Sequence, residues 1–302
     1  MLFRSSTAVG NPCDVATGDK SQLETDYHGP DLRFVRSYHS NTRDGGNKLG
    51  VGWMHNYAAR LIFSGSTPRG LLRPSGHQDF LQLMGDRYVS LSGAGLQVKQ
   101  NSTQWLVYLP NGDRETYSAQ GRLVEIRRKG GRITTLNYDA QGDLTSVVAP
   151  SGQQLSLVYA NGRLSSVTDP ASNPISFAYD GNGNLSEVTY PGGHSRTYHY
   201  EHPTWKNHLT GITDENNQRY STYNYDSMGR MVSEEHAGGV EGLTVAYTNS
   251  NSVVTDAAGA TTTYNFAPSS TKTRRVTSVV RQGLTTSYTY MEIGRASCRE
   301  RV

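Results

Sequence analysis

Four histidines within 15 residues of one another are the first candidates for chemistry in this sequence, because imidazole is a common metal ligand. A helical zinc motif spaces its ligands one turn apart, whereas this segment has no helical periodicity and a proline follows its third histidine. We therefore expect loop histidines, with a metal site as the less favoured alternative, and we predict no metal and no cofactor. The cluster consists of His194, His199, His202 and His208, with Glu201 among them.

Three aspartates are the next candidates, since glycoside hydrolysis uses a pair of carboxylates. Asp139, Asp180 and Asp226 each follow a tyrosine directly and lie three residues before a glycine, so their positions are equivalent. Equivalent aspartates beside glycines are better explained as turn residues, whose side chains accept backbone N–H bonds. The sequence also lacks a nucleophile elbow, a P-loop, a His-Glu-x-x-His motif and a Cys-x-x-Cys motif. It predicts no catalytic residue and no enzyme.

The aspartates belong to a repeat that organises the middle of the chain. Its tyrosines are 21, 21, 20, 21, 25 and 22 residues apart. A fixed period in this range indicates one small supersecondary unit stacked on itself, in which no unit is stable alone. The predicted structural positions of the repeat are Tyr117, Tyr138, Tyr159, Tyr179, Tyr200, Tyr225 and Tyr247.

Each unit has the pattern of a β-hairpin. Large residues alternate before the tyrosine, as in Leu155, Leu157 and Tyr159, which places them on one face of a strand. A glycine turn follows, of which residues 161–162 (Asn-Gly) are the clearest case. Leu164 and Val167 come next, and a spacing of three puts them on opposite faces of a regular strand. Either a bulge intervenes or both faces are partly covered. The pattern predicts an all-β fold of consecutive antiparallel hairpins, with the repeat tyrosines mostly buried on one side.

Composition restricts the class of protein further. Hydrophobic residues make up 35% of the 302 residues, and there are 32 glycines and 19 tyrosines, which suits an extended sheet with one wet face. Regular aromatic alternation argues against disorder. No apolar run is long enough to span a membrane, and no signal peptide is visible. The net charge of +3 predicts no nucleic-acid partner, and we interpret the basic run at residues 127–132 as a solvated hairpin tip.

The Tyr-Asp pairs and the Gly-Arg-Leu segments at residues 121–123 and 162–164 resemble the YD-repeat, or Rhs (rearrangement hotspot), family. Residues 10–18, 32–38 and 49–53 are similar to the DUF6531 module that precedes the repeats in that family. The resemblance implies a leader fragment over 1–8, a β-rich DUF6531-like module over 9–104 and YD repeats over 105–291. The family usually has an aliphatic residue where Cys13 stands, which argues against a catalytic role for Cys13.

The resemblance implies a fold in which the hairpins form an arc of a hollow YD-repeat β-shell. In bacterial members such a shell encloses a C-terminal toxin, and the type VI secretion machinery often carries the protein to a neighbouring cell. The implied function is therefore a structural shell segment of a secreted polymorphic toxin acting in interbacterial competition. Its implied partners are its own toxin domain and components of the secretion apparatus. The alternative is a cell-surface carbohydrate-binding repeat module, in which exposed tyrosines stack on glycans.

Residues 292–302 break the repeat pattern abruptly. Their sequence is also the in-frame translation of a widely used sequencing adapter, whose next codon is a stop. We therefore expect this tail to be an artefact of sequence assembly and exclude it from the fold, as one would a fusion scar. We expect the natural protein to be longer, with the toxin domain missing from this sequence. Native DNA that encodes these residues and then stops would contradict this expectation.

Overall fold

A computed structural model of the protein describes residues 7–10, 12–42, 48–92, 95–267 and 274–289. Within these residues almost all regular structure is antiparallel β, and the only helical segment is the short 3-10 turn Ala237–Gly239. The predicted all-β class is confirmed. Most of the leader and the whole of the 292–302 tail lie outside the described residues.

The first five strands form a sheet of their own, which we call the N-terminal sheet. Each strand pairs antiparallel with the next one along the chain. The strands are β1 (Ala8–Val9), β2 (Cys13–Asp14), β3 (Asp19–His28), β4 (Arg33–His39) and β5 (Trp53–His55).

The remaining strands form one continuous antiparallel ladder, which we call the repeat ladder, because each strand pairs with its neighbours in sequence. Hydrogen bonding runs through residues 104 and 105, and the domain boundary placed there stays a prediction. The strands are β6 (Arg60–Ser64), β7 (Thr67–Leu72), β8 (Gln78–Met84), β9 (Arg87–Ser90), β10 (Gln97–Asn101), β11 (Gln104–Tyr108), β12 (Arg114–Tyr117), β13 (Leu123–Arg127), β14 (Ile133–Tyr138), β15 (Leu144–Val148), β16 (Gln154–Ala160), β17 (Arg163–Thr168), β18 (Pro174–Tyr179), β19 (Leu185–Thr189), β20 (Ser195–His199), β21 (Gly211–Thr213), β22 (Arg219–Tyr225), β23 (Met231–His236), β24 (Val240–Tyr247), β25 (Asn251–Asp256), β26 (Thr261–Phe266), β27 (Val276–Arg281) and β28 (Leu284–Ser287).

A β-bulge in each regular hairpin explains the leucine–valine spacing of three. In the β16–β17 hairpin Tyr159 lies opposite Leu164 and Val158 lies opposite Ser166, so Ser165 is the extra residue. The extra residue turns Leu164 and Val167 to the same face, and both are fully buried. The first alternative, a bulge, is therefore correct. The same register shift occurs in the β12–β13, β14–β15, β18–β19, β22–β23 and β26–β27 hairpins.

Tyrosine hydroxyls join each hairpin to the one before it. Tyr179 donates to the carbonyl of Leu164 at 2.7 Å, and Tyr138 donates to that of Leu123 at the same distance. Tyr225 and Tyr247 make the corresponding bonds at 2.7 and 2.6 Å. Tyr117 and Tyr225 are buried, whereas the other five repeat tyrosines are only half-buried. The rings of all five pack against the core.

The turn aspartates act as the sequence indicates. Asp180 Oδ1 accepts the backbone N–H groups of Asn182 at 2.9 Å and Asn184 at 2.8 Å. Asp226 and Asp139 likewise accept backbone N–H groups of their own turns. The two-residue turn at 161–162 has φ of 51° and 75°, and glycine adopts such a left-handed conformation without Cβ strain.

The core lies between the N-terminal sheet and the tyrosine-bearing face of the ladder. Phe34 packs on Phe177 with ring centroids 6.1 Å apart. Trp53 is fully buried and donates its indole N–H to the Tyr200 hydroxyl at 2.8 Å, which anchors the N-terminal sheet to the ladder. The other face of the ladder is wet, as the exposed Val158 in β16 shows. The N-terminal sheet therefore covers part of one face of a two-faced ladder.

Substituting the repeat tyrosines by phenylalanine should separate their rings from their hydroxyls. We expect Tyr138→Phe and Tyr179→Phe each to lower the free energy of unfolding by about 0.5–1.5 kcal/mol, because each loses one hydrogen bond. Among the described residues the Tyr159 hydroxyl has no such carbonyl partner, so Tyr159→Phe is the matched control and should cost almost nothing. Tyr159→Ala should cost about 2–3 kcal/mol, since its ring is half-buried. Urea unfolding measures all four, and equal losses for the three phenylalanine variants would contradict the assignment.

Candidate functional site at the interface between the N-terminal sheet and the repeat ladder

Charged side chains are buried where β3 and β4 lie against the ladder. Lys20, Glu24, Arg36 and Glu234 are each at most 4% exposed. A buried charge is tolerated only where a partner compensates for the lost hydration. The partners of these groups therefore determine how the two sheets fit together. We call this region the sheet–ladder interface.

Arg36 is at the centre of the interface and is completely buried. Its guanidinium makes a bidentate pair with Asp26, at 2.5 and 2.8 Å, and donates to the Tyr198 hydroxyl at 2.8 Å. Its remaining face lies 4.8 Å from the centre of the Trp53 ring. Burial alone would lower the pKa of Arg36, but the charge of Asp26 reverses this and holds the pKa well above its usual range. Arg36 thus stays charged and, through Tyr198, joins β4 to β20.

A β-bulge also positions Asp26. Thr25 pairs with Val35 and Tyr27 pairs with Phe34, so Asp26 is the extra residue in β3. The Asp26 carboxylate also accepts the Tyr190 hydroxyl at 3.0 Å, which adds a second bond to the ladder. A bulge is a common means of redirecting one side chain without disturbing the rest of the sheet.

A second ionic contact lies beside the first. Glu24 pairs with Arg196, and Arg196 also binds the Glu215 carboxylate at 2.8 and 3.0 Å. Gln22 donates its amide to Glu24 at 2.9 Å, so the carboxylate of Glu24 has partners from both sheets. The arrangement joins β3 to β20 and to the turn after β21.

Lys20 and Cys13 occupy the far end of the interface. The Lys20 ammonium lies 4.2 Å from the centre of the Tyr223 ring and 4.0 Å from the Glu234 carboxylate, and burial lowers the pKa of Lys20 to about 8. Cys13 is fully buried, with its sulfur 3.6 Å from the Tyr247 hydroxyl. Burial raises the pKa of the Cys13 thiol to about 12, so a nucleophilic thiolate does not form at neutral pH.

The histidines of the sequence cluster have separate surroundings. His199 Nε2 lies 2.7 Å from the Thr213 hydroxyl, and His202 Nδ1 accepts the backbone N–H of Trp205 at 3.0 Å. His208 is buried with Nε2 3.2 Å from a backbone carbonyl, and His194 is exposed in a turn. Across the described part of the chain, no three His, Cys, Asp or Glu side chains are placed to hold a metal ion together.

Sequence reasoning missed Lys20, Glu24, Asp26 and Arg36. A reading of β3 by hydropathy would bury Leu23, yet Leu23 is 66% exposed and the polar residues on either side of it face the ladder. The only local signal is the alternation of large polar residues through β3, which a solvated edge strand would show as well.

Comparison with known families agrees with this architecture. A family model described as Teneurin YD-shell matches residues 99–294, which is more than half of the chain. The chain belongs to the YD-shell family. A second model, the domain of unknown function DUF6531, matches residues 10–79, which include strands β2 to β5 of the N-terminal sheet. The predicted membership of the Rhs/YD-repeat proteins is confirmed, and so is the fold of consecutive hairpins forming an arc of a YD-shell.

Individual relatives of this YD-shell chain are distant. It is 25% identical over 278 residues to double-stranded DNA deaminase toxin A of Burkholderia cenocepacia (strain H111) and covers 76% of its own length but only 19% of that protein. Among solved structures, TcdB2-TccC3-Cdc42 has a TM-score of 0.33 at 11% identity, over 93% of this chain and 23% of that one. TcdB2-TccC3-TEV has a TM-score of 0.26 at 12% identity, over 93% and 23%. These scores are too low to carry an argument.

Throughout the described ranges, no helix has the length and apolarity needed to cross a membrane.

The Arg36–Asp26 pair gives the sharpest test of the interface. We expect Asp26→Asn to lower the free energy of unfolding by about 3–5 kcal/mol, because it leaves the guanidinium buried without a counter-ion. Glu215→Gln is the control, since that carboxylate is the exposed partner of Arg196 and should contribute less than about 1 kcal/mol. Adding Arg36→Met to Asp26→Asn should recover part of the loss. Denaturant unfolding of the parent protein, the two single variants and the double variant measures these free energies. Similar losses for the two single variants would contradict the role of the pair.

Proposed function

We propose that this chain is a structural arc of the encapsulating shell of a secreted polymorphic toxin, and that the natural protein encloses a C-terminal toxin domain. The observation that carries the proposal is the continuous ladder from β6 to β28, in which several hairpins repeat the same tyrosine-to-carbonyl contact with the preceding one. Such a ladder has no natural limit to its length and makes a wall one sheet thick. Membership of the YD-shell family and the toxin name of the curated relative support the proposal.

A structural role fits the chemistry of the interface better than catalysis does. The buried charges of Arg36 and Glu24 bind partners across the two sheets, and the Cys13 thiol stays protonated. The candidate histidines lie in separate hydrogen bonds. The ionisable groups that the structure buries therefore hold two sheets together, and we propose no catalytic residue among them.

The partners of the proposed shell follow from its role. We propose that its main partner is its own toxin domain and that components of a secretion apparatus deliver it, with type VI secretion as the leading route. The alternative of a carbohydrate-binding module along all the repeats has less support. Its stacking platforms would be the tyrosine rings, but these rings turn toward the face that packs against the core. The wet face of β16 and β18 instead carries Val158, Ser176 and Ala178.

The natural full-length gene product allows a direct test by limited proteolysis with mass spectrometry. We expect cleavage of the C-terminal domain to be at least about tenfold slower in the intact protein than in the isolated domain, because the shell must open first. Asp26→Asn should accelerate that cleavage and Glu215→Gln should not. Equal cleavage of the enclosed and isolated domains would overturn the proposal. Glycan binding along the wet face without any protected domain would support the alternative module.

A further inference from the structure

A cleft of about 300 Å³ opens where the chain leaves the N-terminal sheet and meets the first repeats. This is the lower end of the range for small-molecule sites. Both parts of the protein contribute to it, so it exists only when the two are assembled. Its principal lining residues are Lys48, His55, Arg60, Arg122, Tyr138 and Tyr159.

The lining carries a net positive charge. Lys48 and Arg122 contribute two cations, while Asp143 contributes one carboxylate, which pairs with Lys48 at 2.6 Å. His55 adds no charge at neutral pH, because burial lowers its pKa to about 4. Its Nδ1 already accepts the backbone N–H of Tyr57. A small anion is therefore the class of ligand that the cleft favours.

Tyr159 departs from the pattern of its repeat at this place. The equivalent hydroxyls of Tyr138, Tyr179, Tyr225 and Tyr247 each donate to a carbonyl of the preceding hairpin. Over the described residues the Tyr159 hydroxyl makes no such bond, and this tyrosine lines the cleft. Burial raises the pKa of Tyr159, so its hydroxyl keeps its proton and remains a donor. The repeat thus leaves one donor unused at the cleft.

We propose that this cleft binds a single sugar unit that carries a carboxylate, such as a uronic acid. Arg122 and Lys48 bind the carboxylate, the Tyr159 hydroxyl donates to a sugar oxygen, and the ring of Tyr138 packs against the apolar face of the pyranose. The Asp143 carboxylate accepts sugar hydroxyls and repels the second negative charge of a dianion such as phosphate. The site is a single local cleft and does not depend on the shell function.

Titration calorimetry with glucuronate, glucose and inorganic phosphate tests the proposal on the whole chain. We expect glucuronate to bind in the millimolar range, and glucose and phosphate each to bind at least about tenfold more weakly. Arg122→Gln and Tyr159→Phe should each weaken glucuronate binding by about three- to tenfold. Tyr159→Phe should unfold at the same urea concentration as the parent protein, so its loss of binding is not a loss of fold.

Two residues at equivalent repeat positions outside the cleft are matched controls. Arg163 follows the turn glycine of its repeat, as Arg122 follows the equivalent glycine of the first repeat. The Arg163 guanidinium lies over the Tyr179 ring, 5.3 Å from its centre. Arg163→Gln and Tyr179→Phe should leave glucuronate affinity unchanged, although the second lowers stability. The absence of detectable glucuronate binding at roughly 50 mM glucuronate would overturn the proposal. Equal affinity for phosphate or for glucose would overturn it too, because the cleft would then recognise only charge or only a sugar ring.

Discussion

The structure depends on one geometric constraint, which is that each hairpin must turn all its large side chains to a single face. A regular strand alternates faces, so a leucine and a valine three residues apart would point in opposite directions. One extra residue, such as Ser165 in the β16–β17 hairpin, restores the alignment. Without it, the valine would move to solvent and the core row formed by Val147, Val167 and Val188 would be lost. The hydrogen bonds from Tyr138 and Tyr179 to the preceding hairpin rely on the same alignment, since they need the ring on the core face.

The N-terminal sheet packs on this shared face, and polar groups determine its position. Along β3 the ladder partners change from Tyr223 and Glu234 at Lys20 to Arg196 at Glu24. At Asp26 they change again, to Tyr190 in the turn after β19. The strand thus crosses several hairpins and contacts each at a different polar residue. Buried ion pairs add little net stability in general, but a one-residue slip here would leave several charges without partners. Hydrophobic contacts hold the sheets together, and these ionic contacts select a single register.

Two kinds of contact, one within the ladder and one between the ladder and the N-terminal sheet, together suit a shell wall. The repeated contacts among hairpins are local in sequence and interchangeable, so the ladder can be extended without a new design. The sheet–ladder contacts, by contrast, can join residues far apart in sequence, such as Arg36 and Tyr198, which are 162 positions apart. They hold a long stretch of ladder from one side. The cleft beside Tyr159 forms at the edge of the same contact, where the chain passes from one sheet to the other.

Local sequence determined the hairpins, since period-two alternation, Asn-Gly and Asp-x-x-Gly turns and a 21-residue spacing each act within a few residues. It indicated the all-β class and the turn role of Asp180. It left the bulge open, because leucine–valine spacing alone is compatible with two backbones. It missed Arg36 and Asp26, since whether a polar strand residue faces water or a buried partner depends on a strand far away in sequence. It likewise could not distinguish Tyr159 from Tyr138 and Tyr179, which have the same local pattern. Only the tertiary structure, which leaves the Tyr159 hydroxyl without a carbonyl partner among the described residues and places Lys48 over its ring, separates it from Tyr138 and Tyr179.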